Sequence, residues 1–266
     1  MTSQRHSRER RRRRWPKWSA RRMLAAALVL VLLGAAVLAV EVQLARTQRR
    51  LAASAPLALD TAIGGSGPGA QRRMLWLGDS TAAGVGADRP EDALPRQVAA
   101  RLGRPVQLTV LAISGAQVED VVEKQLPRVA SLDPDVVVLS VGANDVVHLA
   151  SKDSFTRRYR RLLDELGSTP VIALGVPDMG AAPRFAQPLR AIAGWRGRVL
   201  DGRIRHEVAR RDRTRYVDIA GRTGPAMRRD PDRYFAPDRY HPNGAGYGLW
   251  ADAVSDVARA LTLDPG

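Results

Sequence analysis

Basic residues open the chain, and 18 uncharged apolar positions follow at 23–40. After a polar, glycine-rich stretch the pattern becomes an alternation of short apolar runs with longer amphipathic ones. Residues 74–77, 106–111, 136–141, 171–174 and 215–219 read as strands. Runs such as Val-Val-Val-Leu-Ser-Val lack a polar residue at every second position, the pattern of strands buried on both faces. Helical spacing near 90–102, 117–131, 154–166 and 198–211 supplies the crossovers between them. The expected architecture is a three-layer α/β/α sandwich around a parallel sheet. A last helix is expected after Pro242, with Ala245, Leu249, Ala253, Val257 and Leu261 on one stripe against the sheet and Trp250, Val254 and Ala258 beside it.

The run at 23–40 is near the lower end of what spans a bilayer as a helix. Ten basic residues precede it, including Arg21 and Arg22, whereas only Arg46, Arg49 and Arg50 closely follow. The positive-inside rule makes 1–22 a cytoplasmic tail and 23–45 a single transmembrane anchor, with the rest outside the cell membrane. A cleaved signal peptide and a secreted domain form the competing reading. Against cleavage, Glu41 follows the run at once, and the small residues Ala53, Ser54 and Ala55 lie far downstream. Residues 46–70, ending in Gly64-Gly65-Ser66-Gly67-Pro68-Gly69, read as a flexible linker, and 71–266 as the folded domain.

The formal charge of +15 changes this picture little. Residues 1–70 hold 13 basic and 3 acidic side chains, against 29 and 24 in the remainder, so the excess is mostly a tail. No nucleic-acid motif or stacking pattern accompanies it, and no nucleic-acid partner is expected. Without cysteine there are no disulfides, thiolate metal sites or lipidated cysteine. No His and carboxylate cluster has ligand spacing, so neither metal nor cofactor is expected.

Ligands of open parallel sheets bind beyond the carboxyl ends of the strands. Three segments lie there: Gly78-Asp79-Ser80, Ser114-Gly115 and Gly142-Ala143-Asn144-Asp145. Ser80 is placed where its hydroxyl meets solvent at the start of a helix. A serine hydroxyl becomes a nucleophile when a histidine takes its proton and a carboxylate holds that histidine in the right tautomer. Asp238-Arg239-Tyr240-His241 supplies both, since a turn brings Asp238 to the second ring nitrogen of His241. The backbone N–H groups of Ser80 and Gly115 and the Asn144 amide are candidate donors to an oxyanion. Asp79 and Asp145 read as braces, and His148 and His206 as structural residues. A Gly-x-Ser-x-Gly elbow is excluded, because residue 82 is Ala.

In this order these segments resemble the conserved blocks of the SGNH (GDSL-type) hydrolase family over roughly residues 73–262. The match includes Gly84 and Asp238-Arg239-Tyr240-His241-Pro242-Asn243. The resemblance implies a flavodoxin-like sandwich, Ser80 as nucleophile, His241 as base, Asp238 as its orienting acid, and Ser80, Gly115 and Asn144 as oxyanion donors. Thr81 stands where the family name expects leucine, and Val110 near a position where relatives often carry asparagine. The expected function is that of an envelope-anchored serine esterase acting on lipid or acylated-glycan esters. An acyltransferase on the same triad, and a membrane-tethered binding module without catalysis, are the alternatives. Met179, Phe185, Leu189 and Trp195, with Tyr234, Phe235, Tyr240 and Tyr247, are candidate pocket walls.

Overall fold

The structure, a computed structural model, describes residues 20–49, 60–63 and 71–263. In chain order the elements are α1 Ala20–Arg49, β1 Asp60–Ile63, β2 Arg72–Gly78, α2 Leu94–Arg101, β3 Val106–Ala112, α3 Val118–Asp120, α4 Val129–Leu132, β4 Val136–Ser140, α5 Ala143–Val147, α6 Lys152–Glu165, β5 Val171–Leu174, α7 Leu189–Val208, β6 Thr214–Val217, α8 Ile219–Arg229, α9 Pro231–Tyr234 and α10 Gly244–Leu263. Contacts divide the chain into two units, Met1–Val40 and Glu41–Gly266.

The strands form one sheet in the order β1-β3-β2-β4-β5-β6, parallel except for β1. From β2 onward this is the flavodoxin-like order, whose winding reverses between β2 and β4 and opens a crevice there. Both faces of the strands are covered, as their unbroken apolar runs require. Leu75, Leu77, Val137 and Leu139 pack into the layer of α6 and α7. Met74, Trp76, Val136 and Val138 pack oppositely, with α2, α8 and α10.

Four expectations need correction. Asp60–Ile63, assigned to the linker, pairs antiparallel with β3 at the sheet edge. The strand expected over 215–219 ends at Val217, because Asp218 caps α8 and accepts the Gly221 N–H at 2.8 Å. The helix expected over 117–131 is broken into a π-helical turn, Val121–Gln125, and a 3-10 turn, Leu126–Arg128. Pro127 has no N–H to continue the ladder. In α10 the buried face is rotated toward the residues expected beside the stripe: Trp250, Val254 and Ala258 are buried with Tyr247, Ala251 and Ala253, whereas of the stripe itself Ala245 is exposed and Leu249 and Val257 are half-buried.

The expected cytoplasmic tail, through residue 19, and most of the expected linker lie outside the described residues. The expected span at 23–40 falls within α1, where the side chains of residues 30, 31, 37, 38 and 40 lie outside the description. Among the described residues no helix is long and apolar enough to cross a membrane.

Candidate active site

Register assembles the site. Gly78, the last residue of β2, is level with Ala112 of β3 and Ser140 of β4. The three loops that follow therefore leave the sheet at one height. Gly78 has φ +154°, and a Cβ there would lie 2.0 Å from the Ser140 carbonyl oxygen, so glycine alone lets the strands approach this closely. Gln125 holds the same residue, donating to the Gly78 carbonyl and accepting its N–H, each at 2.8 Å.

Beyond Gly78 the chain turns at once. Ala83 N–H bonds the Asp79 carbonyl at 3.0 Å and Val85 N–H the Ser80 carbonyl at 2.9 Å. Residues 80–86 form turns, and not the helix start expected at Ser80; α2 begins only at Leu94. On the opposite side, α9 and α10 flank the turn that carries Asp238 and His241. Asp238 Oδ1 accepts the N–H groups of Tyr240 and His241, both at 3.0 Å, while Arg239 takes a left-handed φ of +57°. This fold-back points Asp238 Oδ2 at His241 Nδ1, 2.5 Å away. The far nitrogen, Nε2, lies 2.9 Å from Ser80 Oγ. Tyr240 packs its ring edge-to-face against the imidazole at 5.0 Å.

Ser80, Asp238 and His241, separated by about 160 residues of sequence, thus form one hydrogen-bonded line. Burial pushes the Asp238 carboxyl up, but the hydrogen bond and charge of His241, with the two N–H donors, outweigh it and hold the group below the usual carboxylate range. The line can pass a proton from Oγ to Nε2 while a carboxylate stabilises the resulting imidazolium.

The Asn144 amide donates to the Ala116 carbonyl at 3.1 Å and to Asp79 Oδ2 at 3.4 Å, which fixes it beside the loop that carries Gly115. Gly115 has φ +85°, and no atom lies within 4 Å of where a Cβ would be. It is not among the residues lining the cavity at Ser80. Asp79 and Asp145 are both buried beneath the site. Burial raises the Asp79 carboxyl against hydrogen bonds from Thr81 and Asn144. Burial likewise lifts Asp145 to about 7, although the Val118 N–H at 3.1 Å favours its charged form. His148 sits one turn after Asn144, its Nδ1 2.8 Å from the Asn144 carbonyl oxygen.

A cavity of about 40 Å³ opens at Ser80 and His241. Of the expected walls, Met179, Phe235 and Tyr240 line it. Phe185 packs behind Tyr240, Tyr247 is buried with its hydroxyl on the Val85 carbonyl, and Trp195 is exposed. Pro177, Asp178, Ala182, Met227 and Trp250 also line the cavity. Asp178 accepts the Gly180 N–H at 3.1 Å and pairs with Arg228 of α8. Among the described residues no group of three His, Cys, Asp or Glu side chains could hold a metal ion.

Comparison with known proteins gives the family. Residues 76–249 match the model of the GDSL-like lipase/acylhydrolase family. A GDSL-like esterase of Mycobacterium tuberculosis is 31% identical over 197 residues, which cover 71% of this chain and 62% of that protein. The chain thus spans under two thirds of that relative's length. A lipase/acylhydrolase from Enterococcus faecalis superposes with a TM-score of 0.58 at 22% identity, over 71% of this chain and 96% of its own. An acetylxylan esterase from Geobacillus stearothermophilus gives 0.51 at 22% identity, over 72% and 93%. The likeness to these structures is one of fold, and the family match covers every element from β2 into α10 that carries the Ser80, Asn144 and His241 loops. The chain belongs to the GDSL-like lipase/acylhydrolase family.

Proposed function

We propose that this chain is a serine esterase, tethered to the outer face of the cell membrane, that cleaves acyl esters of envelope glycans or lipids through an acyl-enzyme at Ser80. The observation that carries the reading is the unbroken line from Asp238 through His241 to Ser80, with spacings of 2.5 and 2.9 Å. As Oγ attacks the ester carbonyl, His241 Nε2 takes its proton. The carbonyl oxygen becomes an oxyanion, held by the Ser80 N–H and by the Asn144 amide, which turns to it the N–H of its long 3.4 Å bond to Asp79. Collapse expels the alcohol, which leaves with the proton from Nε2. Water then repeats the sequence on the acyl-enzyme and regenerates Ser80. The esterase name of the mycobacterial relative is in keeping with this chemistry.

For the tether, the support is the apolar run with its asymmetric charge, together with exposed Met23, Leu24, Leu28, Val29, Leu32 and Leu33 on α1. Labelling with a fluorophosphonate probe tests the nucleophile: the full chain should label and Ser80→Ala should not. Labelling retained in that variant would refute the assignment. External protease on intact spheroplasts should release the catalytic domain, and its protection until lysis would reverse the topology.

A further inference from the structure

We propose that Met179, backed by Gly197 of α7, limits the acyl group this site accepts to two or three carbons. The proposal rests on Ser80 as nucleophile and adds to it the class of acyl group. A cavity of about 40 Å³ has room for roughly three water-sized groups. An acetyl group, with its carbonyl carbon, oxygen and methyl, is about that size.

The chemistry orients the acyl group. The departing alcohol oxygen must lie at His241 Nε2 to receive its proton, so the acyl substituent occupies the end away from the histidine. Val176 marks that end: a Cβ on Gly142, just before α5 and Asn144, would lie 3.1 Å from Val176 Cγ2. Pro177 and Met179 follow immediately, and both line the cavity.

This wall has nowhere to retreat. Met179 is 3% exposed, and a Cβ on Gly197 would lie 3.1 Å from Met179 Cγ and 3.5 Å from its Cβ. The segment lies flush on α7 at a second point, where a Cβ on Gly194 would meet Gly180 Cα at 3.3 Å. Its start is pinned as well: Val176 N–H donates to Asp201 Oδ1 at 3.0 Å, and the Tyr216 hydroxyl donates to the same carboxylate at 2.8 Å. A longer acyl chain would have to displace a side chain that already touches the helix backbone behind it.

The test is kcat/KM of the full chain in detergent on p-nitrophenyl acetate, propionate, butyrate and hexanoate. The parent should lose about 10-fold or more between propionate and butyrate, the scale of one methylene too many in a hydrophobic pocket. Met179→Ala should raise the butyrate-to-acetate ratio about 10-fold. Gly197→Ala, which pushes Met179 forward, should lower the propionate-to-acetate ratio. Should Met179→Ala not fold, the opposite shift in Gly197→Ala decides. A parent that takes hexanoate as readily as acetate, or active variants with unchanged ratios, would overturn the proposal while leaving Ser80 labelled by fluorophosphonate. A parent that neither labels nor turns over acetate overturns the catalytic reading and this proposal with it.

Discussion

Replacing Asp238 by Asn exchanges one oxygen for an NH₂ group and tests the whole relay. Two backbone N–H groups converge on Oδ1 at 3.0 Å, so the new side chain must keep its oxygen there. The flipped orientation would set NH₂ against two donors, costing about 1–3 kcal/mol for each group left unsatisfied. Its NH₂ therefore faces His241 Nδ1, where Asp238 Oδ2 now lies at 2.5 Å. A donor at that place makes Nδ1 the acceptor and moves the ring proton to Nε2. That nitrogen, 2.9 Å from Ser80 Oγ, then has no lone pair for the serine proton. In triads with this geometry the wrong tautomer lowers kcat about 10⁴-fold, or about 5 kcal/mol of barrier.

Steady-state hydrolysis of p-nitrophenyl acetate measures the loss, and a melting curve separates it from unfolding. The pH dependence of melting gives a second readout. The Asp238 carboxyl is held below its ordinary range, so the stability it contributes is fully present above the unfolded pKa near ~3.9 and is lost as pH falls through the folded value. The gap in Tm between parent and Asp238→Asn should narrow on acidification. A folded variant within tenfold of the parent kcat would refute the relay.

Other expectations follow from the same geometry. Asn144→Ala removes an amide fixed by Ala116 and Asp79, and should lower kcat about 10²–10³-fold with little change in KM; unchanged kcat would take Asn144 out of the oxyanion site. Asp145 is raised to about 7, so between its unfolded value near ~3.9 and 7 the folded state binds more protons and the parent loses stability as pH rises. Asp145→Asn should abolish that slope, gaining up to a few kcal/mol at pH 8 relative to pH 4 by calorimetry, and an unchanged slope would clear Asp145 as its source. Gln125→Leu leaves the Gly78 N–H without its partner, while the carbonyl keeps the Ile113 N–H at 3.1 Å, and denaturant melts should show a loss of about 1–3 kcal/mol. A loss below about 0.5 kcal/mol would mean that another group satisfies that N–H.

The strands were readable because burial on both faces leaves an unbroken apolar run such as that of β4, whose five residues are all buried. Strand β1 was not, since Asp-Thr-Ala-Ile has no alternation to mark it and its partner is the open edge of β3, 43 or more residues further along the chain. The stripe on α10 was misplaced because it rests on small alanines, whereas Tyr247 and Trp250 bury more surface and set the rotation. Asp238 and His241 were legible because their contact spans a single turn, so the sequence itself states it. Gln125, Met227 and the Asp178–Arg228 pair carry no local signal, as each acquires its role only from a residue remote in sequence.

The departure at Thr81 has a physical reason that the motif alone conceals. Thr81 Oγ1 donates to Asp79 Oδ1 at 2.8 Å, and its N–H donates to the same oxygen at 2.9 Å. Its hydroxyl also lies 2.6 Å from Ser140 Oγ, and with the Thr81 proton already given to Asp79, Ser140 must be the donor of that pair. The Ser140 carbonyl meanwhile accepts the Asp79 N–H at 3.0 Å. A leucine at 81 would leave the buried Ser140 hydroxyl unsatisfied, a cost of about 1–3 kcal/mol, and would reduce Asp79 Oδ1 to the backbone N–H alone. This chain therefore carries Thr81 and Ser140 as a matched pair. The pair also guards the register: a one-residue slip of β4 would bring Leu139 opposite Gly78 and turn Ser140 to the other face, away from Thr81. The hydroxyl chain under Ser80 thus makes the aligned strands, and with them the meeting of the three loops, the arrangement that pairs the Thr81 and Ser140 hydroxyls.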